Sequence, residues 1–211
     1  MRLFAKLLQD CINTPKTNDK INLIAVYFKQ ETKKNIPYSF TFLIGKSLGR
    51  FCPAKELRNW CADLRDLPSW LVDESYEFCG DNSETIAHLL AKEESKTAIN
   101  LDTLCQTLIK LKKEDIAVKK DFILEYWSKL DFTDLYCFNK CLGGGIRIGA
   151  TKKNVLKALS QVVNISVETL EHRLMGKWEP TQENFEKLVN KDTDLSYSAQ
   201  PYPFYLASAL D

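Results

Sequence analysis

Residues 142–154, with the sequence LGGGIRIGATKKN, contain four of the chain's eight glycines together with one arginine and two lysines. Glycines let a ligand approach the main chain closely and leave its N–H groups exposed as a site for anions. Thr151 is a typical N-cap, so the helix after it would present free N–H groups and the positive end of its dipole. The pattern predicts a phosphate-binding site formed by Gly143, Gly144, Gly145, Arg147, Gly149, Thr151, Lys152 and Lys153.

The same glycines also have a structural interpretation. The apolar pattern of residues 132–142 predicts a helix that ends at Leu142, and Gly143 is then expected to be its left-handed C-cap. A tight turn between two helices is the alternative explanation for the whole cluster, because glycines often serve turns.

The charges of the chain are segregated, although its net charge is only +1. No Asp or Glu lies between Glu31 and Glu56 or between Asp134 and Glu168, and each window contains five lysines or arginines. Such segregation produces a positive face that attracts polyanions, whereas lysines on solvated helix faces are the alternative. We expect the two windows to meet on one surface, with Lys46 and Arg50 of the GKSLGR segment as weaker members of the site.

The glycine-rich segment does not match a nucleotide-binding motif. A P-loop requires G-x-x-x-x-G-K-[ST], and the dinucleotide fingerprint requires a strand before G-x-G-x-x-G. Here residues 145–149 read GIRIG, and a predicted helix precedes them. A nucleic-acid backbone is therefore the better ligand, and an enzyme with a nucleotide site in the glycine segment is a rival. We expect no catalytic residue and no metal site in this chain.

Cysteine, histidine and tryptophan have ordinary structural interpretations. The seven cysteines include no C-x-x-C pair, so zinc-finger spacing is absent. Cys137 and Cys141 share a predicted helix face, which permits a metal or redox role, but most such cysteines are small buried hydrophobes. The four tryptophans stand at helical spacing among apolar neighbours, and we expect them in the core rather than stacked on bases.

Apolar residues recur with the helical period along most of the chain, and no pair of alternating strands is visible. We predict an all-α fold of about ten to twelve helices in two subdomains, with the polar segment 92–99 between them. The sequence DNSE at 81–84 predicts a capping box, in which Asp81 caps a helix and Glu84 reaches back. Residues 1–189 would form the helical domain, and residues 190–203 look like a linker.

The segment CFNKCLGGGIRIGATKKNVLKALSQV resembles the pattern LLxGGxRxGVSxxxVxxAL in the N-terminal DNA-binding domain of ATP-dependent DNA ligases. LPSWLVDESYEFCGDNSETIAHLL resembles the middle helices of that domain. LEHRLMGKWEPTQENFEKLV and PYPFYLASALD look like segments of bacterial members. The resemblance spans nearly the whole chain. It implies sequence-independent binding of nicked duplex DNA through the minor groove and the phosphate backbone, with Arg147 as the central contact, in DNA repair, replication or recombination.

In this family a separate nucleotidyltransferase domain uses the lysine of a K-x-D-G motif, so the resemblance implies ATP and Mg²⁺ as cofactors of the full-length ligase. Lys113 and Lys129 are followed by Asp two residues later, but neither has the glycine. We therefore expect the chain to be inactive alone and to bind no cofactor. Residues 190–211 would be the linker and the start of a missing nucleotidyltransferase domain, and the ligase's own catalytic domain would be a partner.

A stand-alone helical adaptor that binds a protein partner is the alternative function. The N-terminal residues MRLFAKLLQD lack a signal-peptide pattern, and the apolar run INLIAVYF is too short to span a bilayer. We expect a soluble, cytoplasmic monomer that has no membrane partner.

Overall fold

A computed structural model of the protein describes residues 1–143 and 145–190. Within them the chain forms twelve α-helices and no β-strand, which confirms the predicted all-α fold. The helices are α1 (Arg2–Asn13), α2 (Thr17–Gln30), α3 (Ile36–Leu43), α4 (Ala54–Arg65), α5 (Ser69–Cys79), α6 (Asn82–Leu90), α7 (Leu101–Leu111), α8 (Ile116–Trp127), α9 (Phe132–Leu142), α10 (Lys152–Val163), α11 (Val167–Arg173) and α12 (Gln182–Val189). Apart from Asn190, the segment expected to be a linker and a domain start, 190–211, lies outside the described residues. None of the described helices has the length and apolar character needed to cross a bilayer.

Polar side chains cap several helices where the sequence predicts a start. Asp81 accepts hydrogen bonds from the backbone N–H groups of Ser83 and Glu84, so the predicted cap of α6 is confirmed. The Glu84 carboxylate does not complete the predicted box but lies 3.8 Å from Nε2 of His88. Side-chain oxygens also cap α7, α9, α10, α11 and α12, from Asn100, Asp131, Thr151, Ser166 and Thr181.

Eleven of the twelve described helices share one continuous hydrophobic core, to which α5 contributes no residue. Helix α2 packs along α10, and α9 packs against both α1 and α6. Helices before and after segment 92–99 therefore contribute to the same core, and the division into two subdomains at this segment stays a prediction. Leu135, Phe138 and Leu142 of α9 are completely buried. Because α9 is fixed by neighbours on several sides, the loop after it starts from a rigid point.

The cysteines are free thiols inside this core. Six of the seven are buried, and Cys79 is half-buried. Burial raises the pKa of the Cys61 thiol to about 12 and the pKa of Cys137 well above its ordinary value. Neither supplies a reactive thiolate at neutral pH. The interpretation of Cys137 and Cys141 as buried hydrophobes is confirmed.

Three of the four tryptophans lie in or against the core. Trp60 and Trp127 are buried, and Trp178 packs edge-on against Phe40 while it donates a hydrogen bond to Thr41. Trp70 is 64% exposed, so the expectation that it belongs to the core is wrong. Helix α5 buries only Val72 completely, and Trp70, Leu71 and Phe78 on the same helix are exposed.

Candidate nucleic-acid interface

The connection between α9 and α10, residues 143–151, is called the glycine loop below. Ile146 and Ile148 are buried on either side of the exposed Arg147. Such alternation is typical of extended chain, in which successive side chains point to opposite sides. The two isoleucines anchor the loop to the core, and Arg147 is thereby presented to solvent from an anchored backbone.

Gly143 and Gly145 are not required by the fold itself. Gly143 has φ −74° and donates to the carbonyls of Asn139 and Lys140, so the expected left-handed cap is wrong. A Cβ on Gly143 would make only ordinary contacts, and a Cβ on Gly145 would meet nothing within 4 Å. Gly144 lies outside the described residues. The space above Gly145 is open, as the close approach of a ligand to the main chain requires.

Gly149 has a different role, because it adopts φ +65° and is crowded. A Cβ at this position would lie 2.5 Å from Nζ of Lys20, on α2. That ammonium group donates to the carbonyl oxygen of Ile148 at 2.8 Å. The last glycine of the loop is therefore needed for the turn into α10 and for the approach of Lys20.

The start of α10 carries charges of the unfavourable sign for a helix. Thr151 caps it by accepting from the N–H of Asn154 at 3.3 Å. Lys152 and Lys153 follow, both exposed, and the first turn contains no acidic residue. Cations at a helix N-terminus oppose the dipole, by about 0.3–1 kcal/mol each at low ionic strength. Such a local conflict is a typical sign of a functional constraint, and a bound anion would relieve it.

The second candidate segment, residues 45–50, is called the GKSLGR loop. It lies beside the glycine loop, because the N–H of Phe51, directly after it, donates to the carbonyl of Leu142 at 3.0 Å. Lys46 and Arg50 are both exposed. Partial burial and, secondly, the nearby charge of Lys152 lower the pKa of Lys46. The two acid-free windows thus meet on one surface, as predicted from the sequence.

A groove of about 210 Å³ lies where the two loops meet. Arg50, Gly143 and Gly145 line it together with Lys140. The ammonium of Lys140 pairs with Asp81 and lies over the ring of Tyr136, so most of its charge is compensated. Arg50 forms no ion pair with a described carboxylate and is the exposed cation of the groove.

The candidate cations form no ion pair with a described carboxylate, a property that they share with other exposed lysines such as Lys29 and Lys33. The pKa of the Glu168 carboxyl is lowered first by a hydrogen bond from its own backbone N–H and, to a smaller extent, by the nearby charge of Lys153. Elsewhere Arg2, Lys6, Arg58, Lys120, Lys129 and Lys177 form ion pairs. Among the described residues no ion pair forms at the candidate cations, which are Lys46, Arg50, Arg147, Lys152 and Lys153. A group of unpaired cations beside open backbone is suited to binding several phosphates at once.

Sequence reasoning missed two residues of this region. Lys20 contacts the glycine loop from α2, and Lys112, directly after α7, donates to the carbonyl of Leu48 in the GKSLGR loop. Both contacts join residues distant in sequence, and no local motif marks either lysine. The described residues contain no group of three or more His, Cys, Asp or Glu that could hold a metal ion.

Comparison with known families identifies the class of protein. The family described as "DNA ligase N terminus" matches residues 1–160, which include both loops and most of α10. The chain belongs to this family, the N-terminal domains of ATP-dependent DNA ligases. A comparison with curated proteins finds no match.

Proposed function

We propose that this chain binds nicked duplex DNA without sequence preference, as the DNA-binding domain of an ATP-dependent DNA ligase. The observation that carries the proposal is the meeting of the GKSLGR loop and the glycine loop, with unpaired cations on both. Family membership makes DNA the expected partner.

The arrangement of charge favours a polyphosphate ligand. Lys46 and Lys152 are close enough for their charges to oppose one another, which costs free energy in the unbound protein. A phosphate between them would be attracted by both ammonium groups, and these two attractions would outweigh the repulsion between the lysines. DNA phosphates are spaced along two strands, so cations on two adjacent loops can contact more than one phosphate.

The chemistry of the loops favours contacts to the backbone rather than to bases. Phosphate contacts fix the position of a protein on DNA but carry no sequence information. The main chain of Gly145 is accessible to a ligand, and Lys152 and Lys153 place positive charge at a helix N-terminus. Arg147 would enter the minor groove or pair with a phosphate beside it. Binding of this kind suits a nick that can occur in any sequence.

The full enzyme of this family uses ATP and Mg²⁺. The described residues contain no group of three or more His, Cys, Asp or Glu that could hold a metal ion, and residues 142–154 match no nucleotide-binding motif. The contribution of this chain is then binding and positioning of the nick for the catalytic domain, which raises its local concentration there. Bacterial origin, action in repair, replication or recombination, and a cytoplasmic monomeric state remain predictions from the sequence.

The proposal is tested by competition in fluorescence anisotropy. A labelled duplex with a central nick is bound, and unlabelled nicked duplex, intact duplex and single strand compete for the protein. We expect nicked duplexes of two unrelated sequences to compete equally, and single strand to compete more weakly. A large difference between the two sequences, or no duplex binding at all, would contradict the proposal.

A matched pair of variants locates the binding surface in the same assay. Lys152→Ala removes a cation of the proposed site, whereas Lys6→Ala removes an exposed lysine of α1 that pairs with Asp10. Only Lys152→Ala is expected to weaken binding. Equal effects of both variants would mean that DNA binds through charge spread over the surface.

The alternative function, an adaptor for a protein partner, is favoured by one observation. A groove between α5 and α6 is lined by Phe78, which is 96% exposed, and by Glu74 and Glu84, with no lysine or arginine. Its acidic lining would accept a basic, apolar peptide segment and would repel DNA. A peptide of leucine and lysine should bind, and Phe78→Ser should abolish this binding. No binding of the peptide by the unaltered chain would exclude this candidate.

A further inference from the structure

Lys20 is buried, with 8% of the residue exposed, although it lies in the first turn of α2. Lysine is almost never buried unless it is paired. No described carboxylate forms an ion pair with it, and its described hydrogen bonds go to main-chain carbonyls, to Ile148 at 2.8 Å and to Gly149 at 3.4 Å. The ammonium group therefore binds the backbone of the glycine loop directly beneath the turn into α10.

The loop is adapted to this contact. Gly149 adopts φ +65°, and a Cβ there would lie 2.5 Å from Nζ of Lys20. A residue with a side chain would displace the ammonium group as well as strain the backbone. Lys20 thus holds two of the three residues between Arg147 and the helix cap Thr151, namely Ile148 and Gly149.

The GKSLGR loop is held in the same way from a different helix. Lys112, at the end of α7, donates to the carbonyl of Leu48. Gly49 follows with φ +77°, and a Cβ there would lie 2.3 Å from Nζ of Lys112. In both loops a distant lysine binds the carbonyl before a left-handed glycine, and an exposed arginine stands next to the pair. The arginines are Arg147 before Ile148 and Arg50 after Gly49.

We propose that Lys20 and Lys112 are positioning residues, which hold the two loops in the shape that presents Arg147 and Arg50 to DNA. This inference rests on the proposed function. Lys20 acts through the loop rather than on a phosphate, because its ammonium group is buried and already bound to two carbonyls. Lys112 is exposed, and its bond is open to competition by water. The hydrogen bonds of Lys20 are therefore expected to stabilise the glycine loop more than the bond of Lys112 stabilises the GKSLGR loop.

A double-mutant cycle on the intact chain tests this role. Lys20→Met keeps the apolar stem and removes the donor, and we expect it to weaken binding of nicked duplex roughly tenfold. In an Arg147→Ala background the same change should weaken binding by less than about threefold, because the loop then has no arginine to position. Lys29→Met, an exposed position at the other end of α2, is the matched control and should change nothing.

The outcomes separate this inference from the proposed function. If the unaltered chain binds no duplex, the proposed function fails. If it binds and the effects of Lys20→Met and Arg147→Ala are fully additive, Lys20 contacts DNA independently and the positioning role is wrong.

A second cycle covers the case in which Lys20→Met does not fold. Lys112→Met removes an exposed donor and is compared with Arg50→Ala. We expect a two- to threefold loss that disappears in the Arg50→Ala background. Circular dichroism of each variant shows that the fold is retained. Additivity in this cycle would overturn the proposal for the GKSLGR loop, and failure of both loops to show coupling would overturn it entirely.

Discussion

At position 147 an exposed arginine stands between two buried isoleucines. The burial of Ile146 and Ile148 opposes any rotation of the loop that would turn Arg147 towards the protein, since each isoleucine stabilises by about 1.5–3 kcal/mol when buried. In the proposed complex Arg147 is therefore presented before DNA arrives, and less conformational entropy would be lost on binding than from a free loop.

Arg147→Ala is expected to weaken binding of nicked duplex by about 1–3 kcal/mol without creating a sequence preference. The reason is the loss of a preorganised contact, while the anchoring isoleucines remain. Arg65→Ala is the matched control. Arg65 is the last residue of α4, whereas Ala54, which lines the groove, is the first, so Arg65 lies away from the site. Anisotropy titrations with two duplex sequences measure both effects. Unchanged affinity of Arg147→Ala would remove this residue from the site.

Gly145→Val is expected to weaken DNA binding while the melting temperature stays nearly unchanged. The space above Gly145 is open, so the side chain meets no protein atom but blocks a phosphate from the backbone. Gly149→Val should lower the melting temperature instead, because φ +65° is strained for a β-branched residue and Lys20 is in the way. Thermal melts and titrations of both variants distinguish these roles. Normal DNA binding by Gly145→Val would show that no ligand uses this space.

Residue types at the site could be predicted from the sequence, but the conformation of the glycines could not. Gly143 was expected to be left-handed because helices often end in that way, yet the helix continues into it with right-handed geometry. The left-handed glycine is Gly149, whose conformation depends on a contact with Lys20 from a distant helix. The residues around Gly149 in the sequence do not indicate that contact.

At the scale of elements, the first turn of α10 combines a good cap with unfavourable charges. Thr151 stabilises the helix start, whereas Lys152 and Lys153 oppose the dipole. The cap and the lysines are both visible in the sequence. The sequence does not show that the GKSLGR loop lies beside them and brings the positive charge of Lys46 close to Lys152.

Lys152→Glu is expected to stabilise the unbound protein by about 0.3–1 kcal/mol at low salt and to weaken DNA binding. The change places a carboxylate where the helix dipole favours one, and it removes a phosphate contact. It also removes the positive neighbour of Lys46, so the pKa of Lys46 should rise. Denaturant melts, binding titrations and NMR of the lysine side chains measure the three effects. Loss of stability together with loss of binding would mean that Lys152 has a structural role.

Helix positions were the best predicted part of the fold, because periodicity and caps are local signals. Asp81 and Thr151 cap helices where their side chains predict a start. The prediction that Trp70 lies in the core is wrong. Its helical spacing among apolar neighbours does not reveal that this side of α5 faces solvent. The packing partners of a helix face are set by the whole fold.

At the scale of the molecule, one core brings together two loops that stand about a hundred residues apart. Charge segregation along the sequence predicted this meeting, since cations without acids are costly unless a common partner uses them. The supporting lysines could not be predicted in this way, because Lys20 and Lys112 reach the loops from α2 and α7 across the fold.

The 211-residue chain is expected to bind DNA but not to become adenylylated. Nucleotidyl transfer requires an activated lysine and metal ions, and no K-x-D-G motif occurs among these 211 residues. Incubation with labelled ATP and Mg²⁺, followed by denaturing electrophoresis, measures this. A chain extended through a nucleotidyltransferase domain is the positive control. Covalent label on the 211-residue chain would reveal a nucleotide site that its motifs do not indicate.

The salt dependence of duplex binding measures whether the cations on the two adjacent loops bind DNA phosphates. If the five candidate cations each neutralise one phosphate, the logarithm of the association constant falls against the logarithm of salt concentration with a slope of about −4 to −5. Removing Lys46 and Lys152 together should reduce the slope by about two. A slope near zero, or a slope that these two substitutions leave unchanged, would mean that these cations do not bind DNA phosphates.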